Sequence, residues 1–196
     1  MLKYVNTSVV FQEIPDEVTL MVNISNCPCR CPGCHSRYLW EDEGEELNPE
    51  TMDKLLRHYG KGVTCLCFMG GDAHPEWVDH LARKLHRDYP HLKVGWYSGR
   101  TTISNAIRKD DFDYIKVGPY IAHLGSLKER TTNQRLYKRL PTGEWTDITH
   151  RFWKKAVSET LSRQAIPEEV STLTRTRQEV LTQAKQPETS VPQTAR

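Results

Sequence analysis

Short apolar runs alternate with longer amphipathic segments over the first 120 or so residues, and this alternation predicts strands followed by helices. Residues 18–24 and 63–68 are apolar at nearly every position, which is typical of strands buried on both faces of a parallel sheet. Shorter apolar runs at residues 4–12, 92–99 and 113–120 predict three further strands. Strands that alternate with helical segments indicate a parallel α/β sheet.

Two segments carry helix start signals as well as amphipathic spacing. Asn48-Pro49 is typical of an N-cap followed by proline at the first helical position, and Gly60 should end this helix. A second helix should begin at Pro75 and end near Tyr89. Weaker patterns predict short helices over 35–40 and 101–107, an acidic turn over 41–46, and a hairpin that pairs 136–137 with 145–146 at the sheet edge.

The chain is too short for a closed eight-fold barrel. Such a barrel takes roughly 250 residues, whereas only about 150 residues here have the composition of an ordered domain. We therefore predict a partial, open βα barrel. From Lys155 onward there is no glycine, cysteine or aromatic residue, so we expect a folded domain over 1–154 and a polar tail over 155–196 that is partly helical or disordered.

Charge and hydropathy exclude several classes of partner. The formal net charge is +2, which is too close to balance to indicate a nucleic-acid-binding surface. No apolar run approaches the roughly 18 residues of a membrane span, and the first residues lack the pattern of a signal peptide. We expect a cytoplasmic protein whose six cysteines serve metal binding or catalysis rather than disulfides.

Four of the six cysteines lie in one short loop that follows the strand predicted over 18–24. Cys27, Cys31 and Cys34 have the spacing C-x3-C-x2-C, and Cys29 lies between the first two. Cofactors in parallel sheets bind beyond the carboxyl ends of the strands. The loop is therefore well placed to hold one.

The cysteine loop has three possible interpretations. A helical face would align positions i, i+4 and i+7, but Pro28, Pro32 and Gly33 disfavour a helix. Structural zinc normally takes four ligands, which Cys29 or His35 would have to complete. An iron–sulfur cluster held by three cysteines would keep one iron open for a small molecule. The last interpretation is favoured, since the prolines and glycine keep the loop out of helix.

The spacing of the three cysteines resembles the signature of the radical S-adenosylmethionine (radical SAM) superfamily. The longer motif Arg30-Cys31-Pro32-Gly33-Cys34, preceded by Asn26, resembles the activating component of the anaerobic (class III) ribonucleoside-triphosphate reductase. Gly33 stands where the superfamily usually has an aromatic residue, a departure that the activase branch tolerates. The resemblance covers roughly residues 3–154 and includes the segments 113–119 and 132–135.

The resemblance implies particular roles for individual residues. Cys27, Cys31 and Cys34 would hold a [4Fe–4S] cluster, and Gly70-Gly71-Asp72 resembles the Gly-Gly-Glu motif that holds the amino group of SAM. The residues implied to contact the cofactors are Gly33, Cys34, His35, Gly70, Gly71, Asp72, Tyr97 and Ser98.

The same resemblance implies an enzyme that cleaves SAM reductively and generates a glycyl radical on the catalytic subunit of the reductase. A flavodoxin- or ferredoxin-type protein would donate the electron, and neither nucleic acid nor membrane would be a partner. Another small radical SAM enzyme and a zinc-binding module remain alternatives. Cys29 could replace a neighbouring ligand or take no part, and Cys65 and Cys67 could be small buried side chains or redox groups.

Overall fold

The structure is a computed structural model that describes residues 1–153. The polar tail predicted over 155–196 lies outside the described residues.

A mixed eight-stranded sheet forms the framework of the described residues. Its strands in chain order are β1 (Leu2–Val10), β2 (Thr19–Ile24), β3 (Glu45–Leu47), β4 (Cys65–Met69), β5 (Lys93–Tyr97), β6 (Tyr114–Val117), β7 (Arg135–Arg139) and β8 (Trp145–Asp147). Their spatial order is β3-β1-β2-β4-β5-β6-β7-β8.

Only the centre of this sheet is parallel. The pairs β2–β4, β4–β5 and β5–β6 are parallel, whereas β1, β3, β7 and β8 pair antiparallel with their neighbours. The expected parallel sheet is therefore correct for β2, β4, β5 and β6 and wrong for β1, whereas the predicted hairpin of 136–137 with 145–146 is confirmed as β7 and β8. The partial, open βα barrel stays a prediction.

Two helices connect the parallel strands, as the start signals predict. Helix α1 (Pro49–Tyr59) lies between β3 and β4, and the side chain of Asn48 caps it by accepting a hydrogen bond from the Thr51 amide at 2.9 Å. Helix α2 (Pro75–Asp88) links β4 to β5. Apolar side chains of both helices lie in one buried cluster with Leu66, Phe68 and Trp96 of the sheet.

The predicted helix over 101–107 is wrong, because this segment forms turns. Ser104 accepts a hydrogen bond from the Ala106 amide, and Asp79 of α2 accepts one from the Arg108 amide at 2.7 Å. Side chains that bond nearby amides stabilise turns in place of helix. Short 3-10 helices occur at Arg37–Leu39, Gly60–Gly62, Lys109–Asp111 and Thr149–Phe152.

Strand β3 overlaps the segment 41–46 that the sequence predicts as an acidic turn. Leu47 pairs with Leu2 of β1, and Glu45 accepts a hydrogen bond from the Tyr4 hydroxyl at 2.9 Å. Leu47 is fully buried. One apolar residue in a run of carboxylates therefore places this short strand against β1.

The opposite face of the sheet carries a second buried cluster. Cys65 and Cys67 lie in it beside Ile14, Tyr97 and Tyr114, and both thiols are fully buried. Burial raises the pKa of both cysteines well above the ordinary value. They pack as small apolar side chains, which is the first of the two roles considered for them.

None of the helices within residues 1–153 has the length and apolarity needed to span a bilayer.

Candidate metal centre

The carboxyl ends of the four parallel strands meet around one cavity of about 160 Å3. Strand β2 leads into the cysteine loop, and β4 ends at Met69, whose neighbour Gly70 lines the cavity. Tyr97 and Ser98 contribute from the end of β5, and Lys116 contributes from β6. This edge of a parallel sheet is where ligands commonly bind.

Backbone hydrogen bonds hold the cysteine loop in a non-helical form. The Asn26 amide donates to Glu41 and the Cys27 amide to Leu39, at 2.9 and 2.8 Å, and these bonds close the base of the loop. Asn26, Arg30 and Gly33 have positive φ values of 59°, 41° and 77°. Such values are incompatible with a right-handed helix, so the predicted exclusion of helix is confirmed.

All four cysteines of the loop line this cavity, and each is partly exposed. The Cys34 sulfur also accepts a hydrogen bond from the Ser36 amide at 3.4 Å. Within residues 1–153, no three Cys, His, Asp or Glu side chains are arranged to hold a single metal ion. A [4Fe–4S] cluster binds its thiolates through separate iron atoms, and Cys27, Cys31 and Cys34 all line this one cavity.

Cys29 differs from the other three cysteines in its surroundings. A Cβ built on Gly99 would lie only 2.7 Å from the Cys29 sulfur, so this thiol packs directly on the backbone after β5. Burial raises the pKa of Cys29 to about 12, and the charges of Asp72 and Cys27 add to the effect. Cys29 is therefore harder to deprotonate than a solvent-exposed cysteine.

Asp72 is fixed by the neighbouring strand. One of its carboxylate oxygens accepts from the Ser98 hydroxyl at 2.5 Å, and the other accepts from the Gly99 amide at 2.8 Å. The Gly70 amide donates to the Tyr97 carbonyl at 3.0 Å, which joins the ends of β4 and β5. Gly70, Asp72, Tyr97 and Ser98 therefore lie together at the cavity, and their contacts with a cofactor stay a prediction.

Three of the predicted cofactor residues do not line this cavity. Gly71 has a φ of 90°, and a Cβ on it would lie 2.5 Å from Val78, so it allows α2 to approach the sheet closely. Gly33 and His35 are exposed on the outer side of the loop. The His35 ring packs edge-on against the Tyr120 ring there, with 5.7 Å between the two ring centres. Their contacts with a cofactor stay predictions.

Tyr97 lines the cavity with its ring and not with its hydroxyl group. Its hydroxyl points away and donates to the Glu13 carbonyl. The Lys116 ammonium lies 6.0 Å from the centre of the ring, within the range of a cation–π contact. Tyr97 thus forms a wall of the site, and its ring stabilises the Lys116 ammonium beside it.

Lys116 is a site residue that the sequence analysis missed. It is 8% exposed, and its ammonium donates to the carbonyls of Gly118 at 2.7 Å and Ser98 at 3.5 Å. Among the described residues no carboxylate forms a salt bridge with it. Burial lowers the pKa of Lys116 to about 8, although Asp72 and the cysteines act in the opposite direction. The sequence signal was a single charge within the apolar strand 114–117.

The model of one protein family, described as a 4Fe-4S single cluster domain, matches residues 17–135. This span is more than half of the 196-residue chain and includes the cysteine loop, Asp72, Ser98 and Lys116. Neither the curated proteins nor the solved structures contain a match to the chain.

Proposed function

This chain belongs to the 4Fe-4S single cluster domain family, and we propose that it is a radical SAM activase that generates a glycyl radical on an anaerobic ribonucleoside-triphosphate reductase. The observation that supports the proposal most is that Cys27, Cys31 and Cys34 line the same cavity as Gly70 and Asp72. These two groups, which are distant in the sequence, are the parts of the radical SAM resemblance that would have to meet.

The cluster ligands in this proposal are Cys27, Cys31 and Cys34. When bound, a [4Fe–4S] cluster with one iron free of protein ligands supplies the electron that cleaves the sulfonium of SAM to methionine and a 5′-deoxyadenosyl radical. The chain itself has to bind, orient and shield the reactants.

Asp72 has the role of binding the amino group of SAM. Both of its oxygens already accept hydrogen bonds from the end of β5. Each carboxylate oxygen has two acceptor positions, so an ammonium group can still bind to it. The bonds from Ser98 and Gly99 hold the carboxylate in one orientation, which lowers the entropy lost when SAM binds.

Lys116 has the role of balancing negative charge. Three deprotonated thiols outweigh the positive charge of an oxidised [4Fe–4S] core, and the carboxylate of SAM would add negative charge in a cavity where burial weakens solvent screening. The Lys116 ammonium already lies at this cavity and is held by two carbonyl groups. A cation in this place lowers the electrostatic cost of collecting those anions.

Two proteins complete the proposed reaction. The catalytic subunit of the reductase supplies the glycine that loses a hydrogen atom, and a flavodoxin- or ferredoxin-type protein supplies the electron. A glycine on a protein loop can reach the cavity only if the carboxyl edge of the sheet is accessible. The partly exposed cysteines meet that requirement.

The test is anaerobic reconstitution with iron and sulfide, followed by dithionite reduction in the presence of SAM. We expect about four irons per chain, release of 5′-deoxyadenosine, and an organic radical signal when the reductase subunit is added. Cys31→Ser serves as the matched negative control. A colourless protein that holds zinc without sulfide and leaves SAM intact would contradict the proposal.

A further inference from the structure

The segments 113–119 and 132–135 pack against each other beside the cavity that the cysteines line. The Asn133 side-chain amide donates a hydrogen bond to the Pro119 carbonyl at 3.0 Å. Gly118 has a φ of 108°, and a Cβ built on it would lie 3.0 Å from a Cα of the second segment, so glycine is what allows this close approach. Neither contact has a role in the function proposed above.

The turn after β6, formed by Gly118 and Pro119, is held from two directions. The Gly118 amide donates to the Arg100 carbonyl at 2.7 Å, which joins the turn to the segment after β5. From the other side, Asn133 binds the Pro119 carbonyl. The Arg135 guanidinium donates to two carbonyls of its own segment at 2.6 and 2.8 Å, so the backbone that carries Asn133 is fixed as well.

This turn supplies the nearer of the two acceptors of the Lys116 ammonium. The ammonium donates to the Gly118 carbonyl at 2.7 Å, whereas the Ser98 carbonyl lies 3.5 Å away, beyond the usual range of a hydrogen bond. A lysine side chain is flexible, so its ammonium is placed only as precisely as the groups that bind it. The direction of the Gly118 carbonyl therefore determines where this charge lies in the cavity.

The amide group of Asn133 is only half satisfied. Its Oδ1 is buried and accepts no hydrogen bond among the described residues. The Pro119 carbonyl can only accept, so an exchange of the amide nitrogen and oxygen would lose the bond to it. An unpaired buried acceptor opposes folding, so this asparagine adds little net stability. Orientation of the turn accounts for a polar side chain in this place.

We propose that Asn133 is a positioning residue that acts through the Gly118-Pro119 turn to hold the Lys116 ammonium at the cavity. Asn133 does not line the cavity itself, so it acts only through the turn. A displaced turn would move the Gly118 carbonyl and leave the ammonium with its weaker acceptor, the Ser98 carbonyl. The use of this charge to balance the anions of a cluster and of SAM rests on the proposed function, whereas the placement of the ammonium does not.

The placement is tested on the reduced, metal-free, full-length chain by nuclear magnetic resonance of its isotope-labelled lysine ammonium groups. The exchange rate of the ammonium protons with water is measured, and the signal missing from Lys116→Met identifies Lys116. We expect Asn133→Leu, which keeps the side-chain size and removes the donor, to speed exchange at Lys116 about fivefold. Lys84, which is bound to Asp53 and Asp88, should exchange at an unchanged rate.

Asn48→Ala is the matched control, because it separates positioning from a general loss of stability. Asn48 caps α1, so this variant should lower the melting temperature by about 3 °C and leave exchange at Lys116 unchanged. Asn133→Leu should do the reverse, because it exchanges one unpaired acceptor, Oδ1, for another, the Pro119 carbonyl. If Asn133→Leu does not fold, Asn133→Ala replaces it in the same comparison.

A double-mutant cycle then connects the placement of the ammonium to cofactor binding. In the reconstituted protein, Asn133→Leu should weaken SAM binding about threefold by itself, because the ammonium stays near the cavity but is held less firmly. In the Lys116→Met background the same substitution should have no further effect, because the group that it positions is gone. Equilibrium dialysis measures all four affinities.

Exchange at Lys116 that is equal in the wild type and Asn133→Leu, or that rises no more than in Asn48→Ala, would overturn the inference, as would additive effects on SAM binding. The failure of the proposed function looks different. Faster exchange at Lys116 in Asn133→Leu, in a chain that does not bind SAM, would keep the positioning role and remove the activase assignment. A wild type that cleaves SAM, with exchange unaffected by Asn133→Leu, would do the reverse.

Discussion

Glu17 near the amino end of β2 and Lys116 on β6 are both charged and more than nine-tenths buried, yet their surroundings differ. Glu17 accepts hydrogen bonds from Lys93 at 2.5 Å and from Thr64 and Tyr114 at 2.7 Å. Lys116 donates only to backbone carbonyls. The same sheet therefore satisfies a buried charge fully at one end and leaves another without a counter-ion, among the described residues, at the end with the cysteines.

The difference separates a structural network from a binding site. Burial by itself would raise the pKa of Glu17, but the hydrogen bonds from Lys93, Tyr114 and Thr64 outweigh burial and hold it below the ordinary value. These bonds connect β2, β4, β5 and β6 at their amino ends. For Lys116, burial dominates and lowers the pKa. A buried cation in that state gains the most when an anion binds beside it.

The largest effect is expected at the end of the sheet with the cysteines, where substitution of a cluster ligand should abolish the metal centre. Cys27→Ser, Cys31→Ser or Cys34→Ser should lower the iron content of the reconstituted protein from about four per chain to nearly none. Cys29→Ser should retain the iron, because its thiol packs on Gly99. Iron and sulfide analysis measures both, and equal loss in all four variants would contradict the ligand assignment.

The next largest effect concerns stability at the amino ends of the strands. Glu17→Gln removes the charge that binds Lys93 and disturbs the bonds to Thr64 and Tyr114. We expect a decrease of about 2 kcal/mol in the free energy of unfolding, measured by urea denaturation. Glu43→Gln, which changes an exposed carboxylate, is the matched control. If both variants are as stable as the wild type, the network is not structural.

Lys116→Met should affect SAM binding more than stability, whereas Glu17→Gln should affect stability. Replacing a buried charge that has no counter-ion with an apolar side chain should change the free energy of unfolding by less than about 1 kcal/mol. Binding of SAM to the reconstituted protein, measured by equilibrium dialysis, should weaken about tenfold, because one charge-assisted interaction is lost. Unchanged SAM affinity together with a large loss of stability would make Lys116 a structural residue like Glu17.

The smallest effect is the pH dependence of stability. Because the folded-state pKa of Glu17 lies below the ordinary value of 4.5, its contribution is complete above about pH 4.5 and is lost as the pH falls through the folded-state pKa. The wild type should therefore lose more stability than Glu17→Gln on acidification in that range. Urea midpoints at several acidic pH values test this, and parallel curves would contradict it.

The sequence predicts local structure best where a residue type strongly favours or excludes one backbone conformation. Prolines and glycine among Cys27, Cys31 and Cys34 exclude a helix, and Asn48-Pro49 marks the start of α1; both features are present. The four parallel strands were visible as apolar runs. Local patterns of this kind are read without knowledge of the tertiary contacts.

Prediction from the sequence is wrong where contacts with residues distant in the chain determine the secondary structure. Strand β3 exists because Leu47 meets Leu2, and the segment 101–107 stays in turns in part because Asp79 binds the Arg108 amide. Lys116 could be noticed as a charged residue within an apolar strand. Its lack of a carboxylate partner among the described residues becomes visible only when the neighbouring strands are in place.

The hydrogen bond from the Ser36 amide to the Cys34 sulfur makes the three predicted ligands electronically unequal. Among the described residues, neither Cys27 nor Cys31 accepts such a bond at its sulfur, whereas Cys34 does at 3.4 Å. A donor at a thiolate withdraws electron density and raises the reduction potential of the cluster it binds. An added electron would therefore be stabilised on the Cys34 side of the cavity. Because the donor is a main-chain amide, most substitutions of Ser36 would preserve that asymmetry, and only proline would remove it.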